Sequence, residues 1–179
     1  LSPLLLSEIP CDLDNLPKPG LFVGYTKESC VYSVLGDHYM QSLPDGAFIG
    51  FSRKNHVIKS KNVSILFVTF RGDKTEYFNK FLPEGKQLAF TIRHGEKALE
   101  KGMTQFLIGQ CENTGTDKDT KKVILFARPS TCSKFVFCGE CGCAKMIKYA
   151  NGSMDLLLQL IHFDHLVEEE DYRRAFGKT

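Results

Sequence analysis

The chain has 179 residues, of which 42% are hydrophobic and 25% charged, with 23 Lys and Arg against 21 Asp and Glu. That length suffices for one core without outside help, and the composition excludes disorder over most of the chain. No apolar run approaches the roughly 20 residues of a bilayer-spanning helix, and a net charge of +2 is too mild to name a partner by itself.

Leu1 rather than Met opens the chain, which suggests a domain of a larger protein. Leu4, Leu5 and Leu6 lack the basic flank and small-residue cleavage site of a signal peptide. Pro3, Pro10, Pro17 and Pro19 make residues 1–20 an extended lead-in with at most one helical turn, ahead of a single domain over 21–179. The β-branched and aromatic runs 21–25 and 30–35, separated by Thr26-Lys27-Glu28-Ser29, predict a hairpin. A turn over 43–46 and a strand over 47–51 follow, and 63–70 is the clearest strand. Asp73 and Glu76 have capping-box spacing, and Tyr77, Phe78, Phe81 and Leu82 recur at helical intervals before Pro83.

Residues 87–92, 104–111 and 123–127 read as further strands, with one or two helical turns over 94–101 and an exposed polar loop over 113–122. Three more β-like runs occupy 134–138, 143–149 and 154–163. Gly139-Glu140-Cys141-Gly142 is expected to turn the chain between the first two, and Ala150-Asn151-Gly152-Ser153 between the last two. A helical tail over 165–176 would present Leu166, Tyr172, Ala175 and Phe176 on its apolar side. With no repeated strand–helix alternation, the expected fold is mainly β with short helices, α+β at the margin: a curved sheet or partly closed β-barrel.

Residues 46–72 contain Arg53, Lys54, Lys59, Lys61 and Arg71 and no Asp or Glu, a local charge of +5. Phe51, His56 and Phe70 are interleaved with them. Cations with aromatic edges suit a phosphate backbone and an unstacked base, so the basic loop 53–61 and Arg71 are expected to contact phosphate, with Phe51 and His56 near a base. The alternative is that these lysines guard an edge strand against aggregation. The opposing charge gathers in Asp155, Asp164, Glu168, Glu169, Glu170 and Asp171.

Seven cysteines, four of them within 132–143, make a poor disulfide framework. Cys132, Cys138, Cys141 and Cys143 have the spacing C-x5-C-x2-C-x-C, and Cys138-Gly139-Glu140-Cys141-Gly142 looks like half of a zinc ribbon. Cys132 and Cys143, or His162 and His165, would complete a zinc knuckle over 132–143; the alternative is a set of buried and loop thiols. Thiols of this kind favour a nuclear or cytoplasmic location over a secreted one, despite sequons at Asn62 and Asn151.

No nucleophile elbow, P-loop, dinucleotide fingerprint or H-E-x-x-H appears. Asp37-His38 and Arg93-His94-Gly95-Glu96 are isolated pairs of a type common in loops, so a non-catalytic module is expected.

Three runs carry a family resemblance: Leu125-Phe126-Ala127-Arg128, Lys134 to Gly139, and Asp155 to Leu160 with its alternating leucines. They resemble the closing strands of PUA-like β-barrels, including modified-base readers of the SET-and-RING-associated type. That resemblance implies a curved barrel whose loops accept a nucleotide, in some cases a flipped base between aromatic rings. The expected function is a nucleic-acid-binding module of a larger protein, for DNA or RNA. A protein-interaction module with a structural zinc or thiol cluster is the alternative.

Overall fold

The structure, a computed structural model, describes residues 5–42, 57–71, 80–81, 86–92 and 122–177. Apolar side chains bury both faces of its central strands, which is why those strands read as near-continuous apolar runs. β3 (Val63–Arg71) and β6 (Lys122–Ser130) pair in parallel, from Val63 with Lys122 to Arg71 with Ser130. Around them lie β1 (Phe22–Gly24), β2 (Val57–Lys59), β4 (Lys80–Phe81), β5 (Gln87–Ile92), β7 (Phe135–Lys148) and β8 (Met154–Leu160). The strand order is β2-β3-β6-β7-β8-β5-β4, with β1 pairing on β7. All pairings except β3–β6 are antiparallel.

The sheet curls strongly into a half-barrel. β3 and the far strand β4 are five places apart in the order, yet Phe70 and Phe81 bring their rings to 4.8 Å. Phe176 sits against both, at 5.3 and 5.0 Å. It belongs to the last of two short C-terminal helices, α3 (Phe163–Leu166) and α4 (Glu170–Phe176). These helices fill the concave side with Leu166, Tyr172 and Phe176. The mainly β, partly closed architecture expected from sequence is the one observed.

The convex side is covered by α1 (Lys27–Leu35), α2 (Asp37–Ser42) and the lead-in, whose Ile9 and Cys11 join Val31, Leu35 and Tyr39 over Phe67, Phe126 and Phe137. The lead-in carries two 3-10 turns, Leu6–Glu8 and Leu13–Asn15. Its position is fixed by Asn62, whose side chain accepts from the Cys11 amide at 2.8 Å and donates to the Cys11 carbonyl at 2.9 Å.

Several sequence expectations are corrected. Residues 30–35 are the body of α1, not a hairpin strand. Thr26 caps the helix by accepting from the Ser29 amide, and Cys30, Val31, Val34 and Leu35 fall on one buried face. Residues 139–142 do not turn; they lie inside β7, a single strand of 14 residues. There Leu125 pairs with Gly139 and Phe126 with Phe137, so Cys138 is the extra residue of a β-bulge. Gly139 takes a φ of +81°, open to glycine at little cost. The bulge switches parity: Val136 and Cys138 face the concave core, and beyond it Cys141 rather than Glu140 does. The Asn151-Gly152 turn between β7 and β8 is present, with Gly152 at φ +88°.

The strands expected over 47–51 and 104–111, the turns over 94–101 and residues 113–121 of the expected loop lie outside the described residues, as does most of the helix expected from Asp73 onward, while Lys122, the last residue of that loop, opens β6. The end of that helix, Lys80–Phe81, is the strand β4.

Candidate nucleic-acid interface

Of the expected phosphate- and base-contacting residues, Phe51, Arg53, Lys54 and His56 lie outside the described residues. The others do not share one rim. Lys59 ends β2 and Lys61 lies in the turn to β3, at the strand's first residue, whereas Arg71 is its last. At about 3.3 Å per residue, the nine-residue length of β3 holds these two positions roughly 26 Å apart. Lys59 pairs with Ser64, and Ser64 with Val123, a concave-core residue, so Lys59 is half-buried towards the inside of the curl. Lys61 is exposed and its amide donates to the Ile9 carbonyl at 3.0 Å. Lys122, at the same end, pairs with Glu140 at 3.7 Å.

The opposite end of β3 and β6 also carries cations. Parallel register places Thr69 against Arg128 and Arg71 against Ser130, so two arginines 57 positions apart in sequence lie two register positions apart on adjacent strands. The Arg128 guanidinium lies 4.3 Å from the centroid of the Phe135 ring. Its Nε donates to the Thr69 hydroxyl at 2.9 Å and a terminal nitrogen donates to the Thr131 carbonyl at 3.3 Å. Lys27, in the first turn of α1, holds its ammonium 5.4 Å from the Phe67 ring. Lys134, just before β7, lies 5.9 Å from the Phe22 ring and 5.5 Å from that of Tyr25. Burial pushes the Cys30 thiol up to about 12, against the opposing pull of a Ser29 hydrogen bond and of the Arg128 and Lys27 charges.

Among the described residues, two acids lie beside these cations or the rings they contact. Glu28 lies beside Lys27 in α1, and Asp171 accepts from the Phe22 amide at 3.0 Å. The rest of the acidic tail is engaged locally: Glu169 pairs with Lys18 at 2.7 Å and Glu170 with Arg174 at 2.6 Å. None of the described ion pairs carries the acidic tail to Lys59, Lys61 or Lys134.

Cys132, Cys138, Cys141 and Cys143 do not assemble as a knuckle. Cys132 is exposed in the turn joining β6 to β7, while Cys141 pairs with Val123 near the other end of β6, roughly 23 Å away by strand rise. Zinc–thiolate bonds are about 2.3 Å, so these two cannot share a centre. Cys138 and Cys141 are enclosed by the concave core, and burial raises the Cys138 thiol to about 12 and the Cys141 thiol well above 9.0. Cys143 pairs with Leu158 in β8. His162 and His165 hold their rings 6.4 Å apart, and His162 packs over Gly139. Among the described residues no three His, Cys, Asp or Glu side chains converge to hold a metal ion.

Asp37 and His38 open α2, where Asp37 accepts from the Tyr32 hydroxyl; Arg93, His94 and Glu96 lie outside the described residues. Lys27 and Lys134 carried no sequence signal, being single cations in a presumed hairpin loop and at a strand start. The three runs resembling a PUA-like barrel are neighbouring strands β6, β7 and β8. No family model, curated protein or solved structure matches the chain.

Proposed function

We propose that the domain is a non-catalytic nucleic-acid-binding module, and that its phosphate-binding surface is the end of the half-barrel bearing Lys27, Arg71, Arg128 and Lys134. The observation that carries this reading is the β3–β6 register, which brings the strand ends bearing Arg71 and Arg128 together, beside the β6–β7 turn that leads to Lys134. Cations brought towards one end of the paired strands suit a polyanion. The half-barrel and the resemblance of β6–β8 to PUA-like strands support the same reading. A nuclear or cytoplasmic location goes with it, since Cys11, Cys30, Cys132, Cys138 and Cys141 are all unpaired thiols.

Each phosphate neutralised contributes about −0.7 to −0.9 to the slope of log affinity against log salt, so four contacts give roughly −3. Anisotropy titrations with labelled DNA and RNA oligonucleotides at several salt concentrations read that slope directly. Absence of oligonucleotide binding at low salt rejects the proposal and leaves the alternative, a module that captures a protein partner, in its place.

A further inference from the structure

We infer that Tyr25 is a stacking platform for an unpaired base, with Lys134 taking the adjoining phosphate, so that the nucleic acid bound is single-stranded. This deepens the proposed function and rests on it.

Tyr25 differs from the other exposed tyrosines among the described residues. Tyr32 donates its hydroxyl to Asp37 and Tyr149 donates to Asp155 at 2.7 Å, so both are engaged by the protein's own carboxylates. Tyr25 is 60% exposed, more than either, belongs to neither core cluster, and makes no such bond. An aromatic ring exposed to this degree contributes less to folding than a buried one.

Its backbone is nevertheless held on both sides. Gly24 before it pairs with Phe135 in the sheet, and Thr26 after it caps α1 through the Ser29 amide. The ring is therefore presented from a fixed point rather than from a loose loop, which lowers the ordering cost of binding. Lys134, 5.5 Å from the ring centroid, supplies a cation whose only described partners are the Tyr25 and Phe22 rings.

An exposed aromatic ring with a cation held over it, 5.5 Å from its centroid, offers together the partners of the two repeating parts of a nucleotide strand, a flat base and a phosphate. A duplex hides its base faces in the stack and would meet the lysine alone. An acidic peptide would likewise use the cation and leave the ring idle.

The test is an anisotropy titration of the 179-residue chain with a labelled 12-nucleotide oligo(dT), the corresponding oligo(U), a 12-base-pair duplex and a poly-glutamate peptide. Wild type is expected to prefer both single strands over the duplex. Tyr25→Ala is expected to weaken single-strand binding about tenfold, in the range of one base–aromatic stack, whereas Tyr25→Phe keeps it within about twofold. Lys134→Gln is expected to flatten the salt slope by about 0.7. Circular dichroism of each variant should match wild type, because Tyr25 and Lys134 are exposed.

Salt-dependent binding that survives Tyr25→Ala, or that favours the duplex, overturns the stacking inference while leaving the proposed function standing. Absence of binding to every oligonucleotide, or poly-glutamate binding as tight as oligo(dT), overturns both.

Discussion

Arg128 and Thr69 are register partners across the parallel β3–β6 ladder, and the guanidinium bonds Thr69 while its carbon sits 4.3 Å from the centroid of the Phe135 ring. That fork is rigid and planar, and lysine cannot reproduce its paired donors to Thr69 and Thr131 in this geometry. Arg128→Lys should therefore lower stability by about 1–2 kcal/mol, from one lost hydrogen bond and one lost cation–π contact. Urea unfolding checks this; an unchanged midpoint would show that Arg128 is held by charge alone.

Gly139 and Gly142 lie three residues apart in β7 and should respond oppositely to alanine. A Cβ on Gly139 would meet the His162 ring carbon at 2.6 Å, on a backbone at φ +81°. A Cβ on Gly142 meets nothing within 4 Å. Gly139→Ala should cost about 2 kcal/mol or more, and Gly142→Ala should be neutral or slightly stabilising. Thermal melts of the two variants make the comparison. Equal melting temperatures would contradict the bulge, and with it the parity switch that aims Cys138 and Cys141 into one core.

The buried thiols set a limit on the alkaline side. Burial raises Cys11 to about 11, and Cys30 and Cys138 to about 12, from an ordinary value of 9.0. Below pH 9.0 folded and unfolded chains both keep these protons, and the stabilisation is fully present. Above it the unfolded chain releases protons that the folded chain holds, so stability falls as pH rises towards about 12. Each fully buried thiol contributes up to about 1.4 kcal/mol per pH unit within that window. Urea midpoints should hold between pH 7 and 8.5 and fall by pH 10. A Cys138→Ala variant should show a shallower decline, and an identical decline would remove Cys138 from the account.

What the sequence made legible follows from which physics is local. Val63 to Phe70 and Gln87 to Ile92 read as strands because a short, dense apolar run has no alternative that buries it. α1 was hidden because Val31, Tyr32 and Val34 are residues of high β propensity, and the Thr26 cap with the spacing of Cys30, Val31, Val34 and Leu35 outweighs that propensity only in context. β7 was hidden because its glycines resemble a turn, although one serves a bulge. On the site, Arg71 was visible as part of a charged run, but its nearness to Arg128 depends on a parallel register that no local pattern encodes. The same register separates Arg71 from Lys59 and Lys61, which sequence adjacency joins.

The most direct test of the binding surface compares charge reversal at the two ends of β3. Arg71→Glu with Lys134→Glu alters the end gathered by the β3–β6 register, and Lys59→Glu with Lys61→Glu alters the other. Oligonucleotide affinity measured by anisotropy at low salt should fall at least about 30-fold in the first pair, the loss of two phosphate contacts plus repulsion, and stay within about threefold in the second. The reverse ranking, or equal losses in both pairs, would contradict the assignment of the phosphate-binding surface to the Arg71–Arg128 end.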